Sequence, residues 1–263
     1  MNILIKLGGT LLDSAESRQR VAGEIATIVR DGLQAVVVHG GGKQLTRFLA
    51  DRGVESRFIN GLRVTTAETL DAVVKVLAGT VNRELVAALV AQGVPAVGLT
   101  GMDALLTEAR QMSADLGWVG KPVRSDARLL HSLLALKYLP VVACLAGDGK
   151  GQFFNVNADQ MAVSVAAALG VDKLLFLTDV DGVKDANNLV YSTLSAQQCR
   201  ELIDGGVATG GMRAKLESAM EAFETGISEV VIAPGAMPGV LRRLIDGDAC
   251  GTKLIASAVV PHA

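Results

Sequence analysis

Two lysines and an aspartate, each placed where packing alone explains it poorly, carry the chemical signal of this 263-residue chain. Lys6 interrupts the apolar run Asn2-Ile3-Leu4-Ile5-Lys6-Leu7 and is followed at once by Gly8-Gly9. A strand covered on both faces reads as a continuous apolar run, so a cation near its carboxyl end lies where open α/β sheets place their ligands. A second run, Ala35-Val36-Val37-Val38, ends the same way in His39-Gly40-Gly41-Gly42. Glycines let the backbone approach an anion closely, and the amides of the helix that follows point at it. Either turn alone is also compatible with a snorkelling lysine and ordinary glycine turns. Two such turns beside a lysine favour a phosphate site.

The segment Asn155-Val156-Asn157-Ala158-Asp159-Gln160 is the second informative cluster. Asn157 with Gln160 three residues on has the form of a capping box, and Asp159 in the first turn suits the positive end of a helix. That account leaves Asn155 unexplained, so a catalytic role stays open beside a capping one. Gly210-Gly211-Met212-Arg213-Ala214-Lys215 opens a predicted helix with two cations. Against the macrodipole these forgo roughly 0.3–1 kcal/mol each, a cost that bound phosphate oxygens would reverse and that surface helices also tolerate. Lys6, Asp159 and Lys215 are therefore candidates for one site.

Other signals narrow the chemistry. Asp179-Val180-Asp181-Gly182 looks calcium-like, but the sixth loop position is Lys184 where an EF-hand needs glycine, so the turn better suits a nucleotide. The Gly-Lys pairs at 42–43, 120–121 and 149–150 lack the spacing and the following Ser or Thr of a P-loop. His39, His131 and His262 lack ligand spacing, and His39 reads as a structural hydrogen-bonding group before a base. Arg63, just after Asn60-Gly61, is either an exposed hairpin cation or a carboxylate fork. A net charge of −2 without a basic stripe, with 1 Trp, 2 Tyr and 6 Phe, disfavours nucleic acid. Cys144, Cys199 and Cys250 are scattered, which suggests reduced core thiols rather than disulfides or zinc. No secretion signal or bilayer-length apolar run is apparent, so a cytoplasmic protein without membrane or metal-cage partners is expected.

These residues must be held by alternating elements. Strands are predicted at 2–7, 35–38, 96–99, 139–145, 152–154, 173–178, 229–233 and near 253–255. Helices are predicted at 14–31, 43–52, 67–92, 126–137, 158–169, 196–204, 212–226 and 237–246. Asn60-Gly61 signals a hairpin within 57–64. From 105 to 123 the pattern weakens into short strands and turns. The alternation implies an α/β protein with a mostly parallel open sheet sandwiched by helices. A lobe boundary is expected near 170–175.

Taken in order, Lys6-Leu7-Gly8-Gly9 with Leu11-Leu12, His39-Gly40-Gly41-Gly42, Asn60-Gly61-Leu62-Arg63-Val64-Thr65, Asn155-Val156-Asn157-Ala158-Asp159-Gln160, Thr178-Asp179-Val180-Asp181-Gly182 and Gly211-Met212 with Lys215 resemble the acetylglutamate kinases of the amino acid kinase family. The resemblance covers essentially the whole chain. It implies a three-layer α/β/α sandwich, with residues 1–173 binding N-acetyl-L-glutamate and forming a homodimer, and residues 174–263 binding ATP. Carried over by motif, Gly41, Gly42, Arg63 and Asn155 would hold the acyl amino acid, with Arg63 on its α-carboxylate. Gly8 and Gly9 would contact the migrating phosphoryl group. Lys6 and Lys215 would stabilise the transition state, and Asp159 would orient them. Asp179, Val180, Asp181, Gly182, Val183 and Lys184, with Val207, Ala208 and Thr209, would line the nucleotide.

The chemistry suits such an acceptor. A side-chain carboxylate, with a pKa of about 4.3, is already an anionic nucleophile at neutral pH and needs no general base. What it needs is cancellation of its repulsion from ATP, by lysines, oriented amides and Mg2+ carried on the ATP phosphates. Related acceptors, N-succinylglutamate or carrier-linked aminoadipate, remain open, as does a non-catalytic nucleotide-binding regulator. Because arginine-inhibited hexameric relatives carry an extra helix before the first strand, an arginine-insensitive dimer is expected.

Overall fold

The computed structural model describes residues 1–256; His262 lies outside the described residues. The core is a sheet of eight strands in the order β12-β14-β13-β11-β1-β2-β8-β5. These span Asn2–Leu7 (β1), Gln34–His39 (β2), Ala96–Thr100 (β5), Leu139–Ala143 (β8), Lys173–Thr178 (β11), Thr193–Ser195 (β12), Glu229–Pro234 (β13) and Thr252–Ile255 (β14). Strand β1 lies between β2 and β11, parallel to both, in registers that pair Leu7 with His39 and with Leu177. Since β2 and β8, β8 and β5, and β11 and β13 are parallel too, the carboxyl ends of these strands share one edge. The chain leaves β1 toward β2 and returns later on its other side as β11. That reversal opens a crevice at the carboxyl edge, which is where sheets of this kind bind ligands.

Apart from Lys6, His39 and Thr178, the inner residues of β1, β2 and β11 are apolar and buried, as strands covered on both faces require. Helices cover both faces of the sheet. Ala15–Arg30 (α1), Asn82–Ala91 (α4) and Val240–Asp246 (α9) form one layer; Ala158–Leu169 (α6), Ala196–Asp204 (α7) and Gly210–Glu224 (α8) form the other, with α6 against β1, β2 and β11. Gly42–Ala50 (α2), Ala67–Val73 (α3) and Arg128–Ala135 (α5) complete the helices.

Several expectations need correction. The helix predicted at 67–92 forms as one continuous helical span, but its middle, Val74–Val81 between α3 and α4, is π-helical, in a stretch rich in β-branched residues and containing Gly79. The predicted strand 139–145 stops at Ala143, where the Cys144 amide donates to the His39 carbonyl, and a separate strand Leu145–Gly147 (β9) follows. The weakly patterned region is ordered. Thr107–Gln111 (β6) and Val119–Ser125 (β7) close with β9 and Phe153–Val156 (β10) into a four-stranded barrel beside the main sheet. β12 had no readable signal, and β14 runs antiparallel to β13. The hairpin is formed as expected by Phe58–Ile59 (β3) and Leu62–Arg63 (β4), with Asn60 and Gly61 both at positive φ, 50° and 79°.

Candidate active site

Lys6 leaves β1 on the face covered by α6 and is 6% exposed. The first turn of α6 is set by Asn157, whose side chain accepts from the amides of Asp159 and Gln160. The capping box is only half formed, because Gln160 Oε1 is buried without a partner. That cap aims Asp159 at the sheet edge, where its Oδ1 lies 2.7 Å from Lys6 Nζ and its Oδ2 lies 3.5 Å from Lys215 Nζ on α8. Lys6 acts on the carboxylate mainly through its charge. Burial pushes the Asp159 carboxyl upward, but the charges of Lys6 and Lys215 outweigh it and hold the group below the usual carboxylate range. The three residues are thus joined in one buried cluster carrying one net positive charge. Arg213, the other cation at the start of α8, turns away and pairs with Glu217 at 2.7 Å.

Around this cluster sit helix starts with open amides. Neither Thr209 before α8 nor Gly41 before α2 supplies a side-chain cap. The Gly8 amide extends the β1–β11 ladder by donating to the Leu177 carbonyl at 2.8 Å. Gly41 is closely packed: a Cβ there would sit 2.5 Å from Leu77 Cδ2 and 3.2 Å from Val81 Cγ2 of the π-helical segment, so Leu77 would have to shift.

Gly41, Gly42, Arg63 and Asn155 line one cleft, together with Leu77, Val119, Cys144 and Asn157. Arg63 is 8% exposed, yet no aspartate or glutamate among the described residues pairs with it. Its Nη2 donates to the Gly42 carbonyl at 3.1 Å and to Thr46 Oγ1 at 2.7 Å, its Nη1 donates to Ser56 Oγ, and the Phe58 ring lies 4.7 Å from Cζ. Burial lowers its pKa from the free value. A guanidinium held among neutral partners at the wall of a cleft has the chemistry to receive an anion. Asn155 Nδ2 donates to Thr65 Oγ1 at 3.0 Å, and that hydroxyl donates to the Arg63 carbonyl at 2.9 Å.

The segments assigned to the nucleotide follow β11 and precede α8. Among the described residues no hydrogen bond joins 179–184 to 207–209. Val180 and Val207 are unusually exposed for valines, whereas Val183 and Ala208 are buried, with the Val183 amide donating to Thr252 Oγ1 and the Ala208 amide to the Leu202 carbonyl. Gly182, at φ 151°, lies so close that a Cβ would be 2.6 Å from Thr252 Oγ1, and Lys184 Nζ pairs with Asp181 at 3.1 Å. Thr178 Oγ1 donates to Asp179 Oδ1 at 3.1 Å.

Sequence reasoning passed over Ser56 and Thr46, which tether Arg63, and Asn82, which reaches His39 across 43 positions. Ser56 and Thr46 had no signal. Asn82 had none either, since it opens the polar triplet Asn82-Arg83-Glu84.

Paired ammoniums around a carboxylate, open glycine amides and a neighbouring anion cleft, all at one sheet edge, make a phosphoryl-transfer site. The model of the amino acid kinase family matches residues 1–234, and the chain belongs to that family. Membership makes ATP the phosphoryl donor. The chain is 56% identical to the acetylglutamate kinase of Solibacter usitatus, covering 97% of this chain and 99% of that one. It is 42% identical to that of Koribacter versatilis, over 98% and 100%. Among solved structures it resembles smu.665 of Streptococcus mutans UA159, with a TM-score of 0.85 at 30% identity over 97% and 99% of the two chains. It also resembles the N-acetylglutamate synthase of Neisseria gonorrhoeae complexed with coenzyme A and N-acetyl-glutamate, with a TM-score of 0.87 at 29% identity over 98% of this chain and 60% of that one.

Proposed function

We propose that this chain phosphorylates the side-chain carboxylate of N-acetyl-L-glutamate with ATP, the acetylglutamate kinase reaction of arginine biosynthesis. The observation that carries the reading is the buried Arg63 guanidinium, which among the described residues lacks a protein anion and lines a cleft shared with Gly41, Gly42 and Asn155. In this reading Arg63 grips the α-carboxylate, and Asn155 and the glycine amides hold the rest of the acyl amino acid. The reactive carboxylate then points to the Lys6–Asp159–Lys215 cluster.

The step is an in-line displacement. A carboxylate oxygen attacks the γ-phosphorus, the bond to the β,γ-bridging oxygen breaks, and ADP leaves with that oxygen. No proton moves to or from the nucleophile. Lys6, Lys215 and the Gly9 amide meet the charge on the transferring group, and Asp159 keeps both ammoniums in place. Gly8, whose own amide donates to the Leu177 carbonyl, lets that group approach the backbone. Magnesium enters as the MgATP complex; Asp159 already faces an ammonium on each of its oxygens and is not free to ligate it. The nucleotide is assigned to Asp179–Lys184 and Val207–Thr209, with the exposed Val180 and Val207 against the base. Residues 1–173 would then be the amino acid lobe and those from 174 onward the nucleotide lobe.

The deciding experiment measures ADP release across N-acetylglutamate, N-succinylglutamate, glutamate, aspartate, aminoadipate and uridylate. N-acetylglutamate is expected to give the highest kcat/KM. Silence with it, or a better acceptor, refutes the assignment. A cytoplasmic homodimer belongs to the same proposal; the unpaired, buried thiols of Cys144, Cys199 and Cys250 suit a reducing compartment, and light scattering tests the dimer.

A further inference from the structure

We infer that His39 is a positioning residue that aims the Gly41 amide into the acceptor cleft, and that Asn82 selects the imidazole tautomer that does so. The inference rests on the phosphotransferase reading above. His39 is fully buried at the end of β2, and both its ring nitrogens are committed. Nδ1 lies 2.7 Å from the Gly40 carbonyl oxygen. A carbonyl can only accept, so Nδ1 carries the proton. Nε2 lies 2.9 Å from Asn82 Nδ2. The same amide nitrogen lies 3.0 Å from the Val141 carbonyl, and Asn82 Oδ1 accepts from Arg83 Nη2. These neighbours orient the Asn82 amide, which must donate toward Nε2, and Nε2 must accept. With no lone pair left free, His39 is not available as a base. Burial pushes its pKa down to about 4, the Gly40 hydrogen bond opposing and the Arg83 charge reinforcing that shift, so the ring stays neutral near pH 7.

The consequence lies one peptide further on. In a planar trans peptide the C=O and the following N–H point in opposite directions. Pinning the Gly40 carbonyl onto the imidazole therefore turns the Gly41 N–H away from it. Among the described residues that N–H has no hydrogen-bond partner, and Gly40, Gly41 and Gly42 line the cleft beside Arg63. Leu77 and Val81 of the π-helical segment lie where a Cβ on Gly41 would point, at 2.5 and 3.2 Å. The segment ends where Asn82 begins, so one element both seats the glycine and fixes the histidine.

The test compares wild type with His39→Leu, His39→Asn and Asn82→Asp. Asparagine at 39 can present an N–H where Nδ1 stood, and leucine cannot. A carboxylate at 82, beside the Arg83 guanidinium, only accepts; it draws the proton to Nε2 and leaves the Gly40 carbonyl without a donor. His39→Leu and Asn82→Asp are expected to lower kcat by about tenfold to a hundredfold, short of the 10²–10³ for losing an oxyanion donor outright, with the KM for ATP nearly unchanged. His39→Asn should stay within about threefold of wild type, on the same scale. Nitrogen-15 spectra of labelled histidine should show the Nδ1–H tautomer in wild type and Nε2–H in Asn82→Asp. An Nε2–H wild type, a folded His39→Leu enzyme with full kcat, or a His39→Asn enzyme as weak as His39→Leu overturns the inference. If His39→Leu fails to fold, the other two variants decide. If wild type does not turn over N-acetylglutamate, the acceptor assignment fails, and the tautomer spectra still judge His39.

Discussion

Replacing Asp159 with asparagine keeps its shape and removes the charge that joins the two lysines. Charges at the observed 2.7 and 3.5 Å attract by about 6 and about 5 kcal/mol at an effective dielectric near 20. Most of that gross attraction offsets the desolvation of three buried charges, so the net effect follows measured losses of one partner from a buried pair, about 3–5 kcal/mol. At about 2–4 °C per kcal/mol for a chain of this size, the melting temperature should fall by roughly 10 °C. The two ammoniums, no longer facing a carboxylate, should bind nucleotide phosphates more readily in the ground state. MgADP should therefore raise the melting temperature of the variant more than that of wild type. Turnover should suffer in the opposite sense, with kcat down by about 10² because neither ammonium is held at the transferring group. Calorimetry with and without MgADP, together with ADP-release kinetics, reads both effects. A variant with normal kcat and the wild-type response to MgADP would show that Asp159 neither restrains nor positions the lysines.

Arg63→Ala should cut kcat/KM for the amino acid by about 10²–10³, from about 3–4 kcal/mol for truncating one side of a desolvated charge pair, with the KM for ATP little changed. Arg63→Lys keeps the charge but cannot make the contacts to Gly42, Thr46 and Ser56, so it should recover only part of the loss; full recovery would reduce the site to a point charge. Gly41→Ala places a Cβ 2.5 Å from Leu77 Cδ2 and should destabilise the protein by about 1–3 kcal/mol, with Leu77→Ala on top of it restoring part of the activity; failure of that rescue would point to backbone rather than packing. The His39 imidazole titrates near pH 4 in the fold and near 6.5 when unfolded. Between those values the unfolded chain takes up a proton that the native state refuses, so stability falls as pH falls, by about 3 kcal/mol in all. Denaturant melts at pH 7 and pH 4.5 should show that component in wild type and lack it in His39→Asn.

The parts of the site readable in the sequence were those where a residue breaks a local rule. Lys6 stands out because a strand buried on both faces admits no unpaired charge, and Asn60-Gly61 because both residues must take positive φ. Arg213 and Lys215 broke the same dipole rule, yet only Lys215 turns to the cluster; the rule marks a helix start and does not say which side chain faces inward. The barrel stayed hidden because its strands are short and its closure joins segments remote in sequence, such as Val119 of β7 and Asn155 of β10. The π-helical segment stayed hidden because its apolar spacing reads as a continuous helix and does not distinguish π from α turns; it carries the Leu77 and Val81 side chains that pack at Gly41. Ser56 and Thr46 are ordinary surface residues until Arg63 folds back onto them.

The arrangement also accounts for a carboxylate among groups meant to bind phosphate. Two free ammoniums would hold ATP tightly before reaction, and tight ground-state binding does nothing for the chemical step. Asp159 draws both Nζ groups toward itself and leaves one net positive charge at the sheet edge. In the proposed reaction, as charge spreads over the equatorial oxygens of the moving phosphoryl group, each lysine would gain more from those oxygens than from the ground-state nucleotide, while Asp159 would limit how far it follows. The histidine closest to the glycine loop has both nitrogens occupied and cannot divert a proton onto the nucleophile. A site built this way suits an acceptor that arrives already ionised; a hydroxyl acceptor, which must lose a proton in the same step, would find among the described residues of the site a carboxylate already paired with two ammoniums and a histidine with both nitrogens occupied.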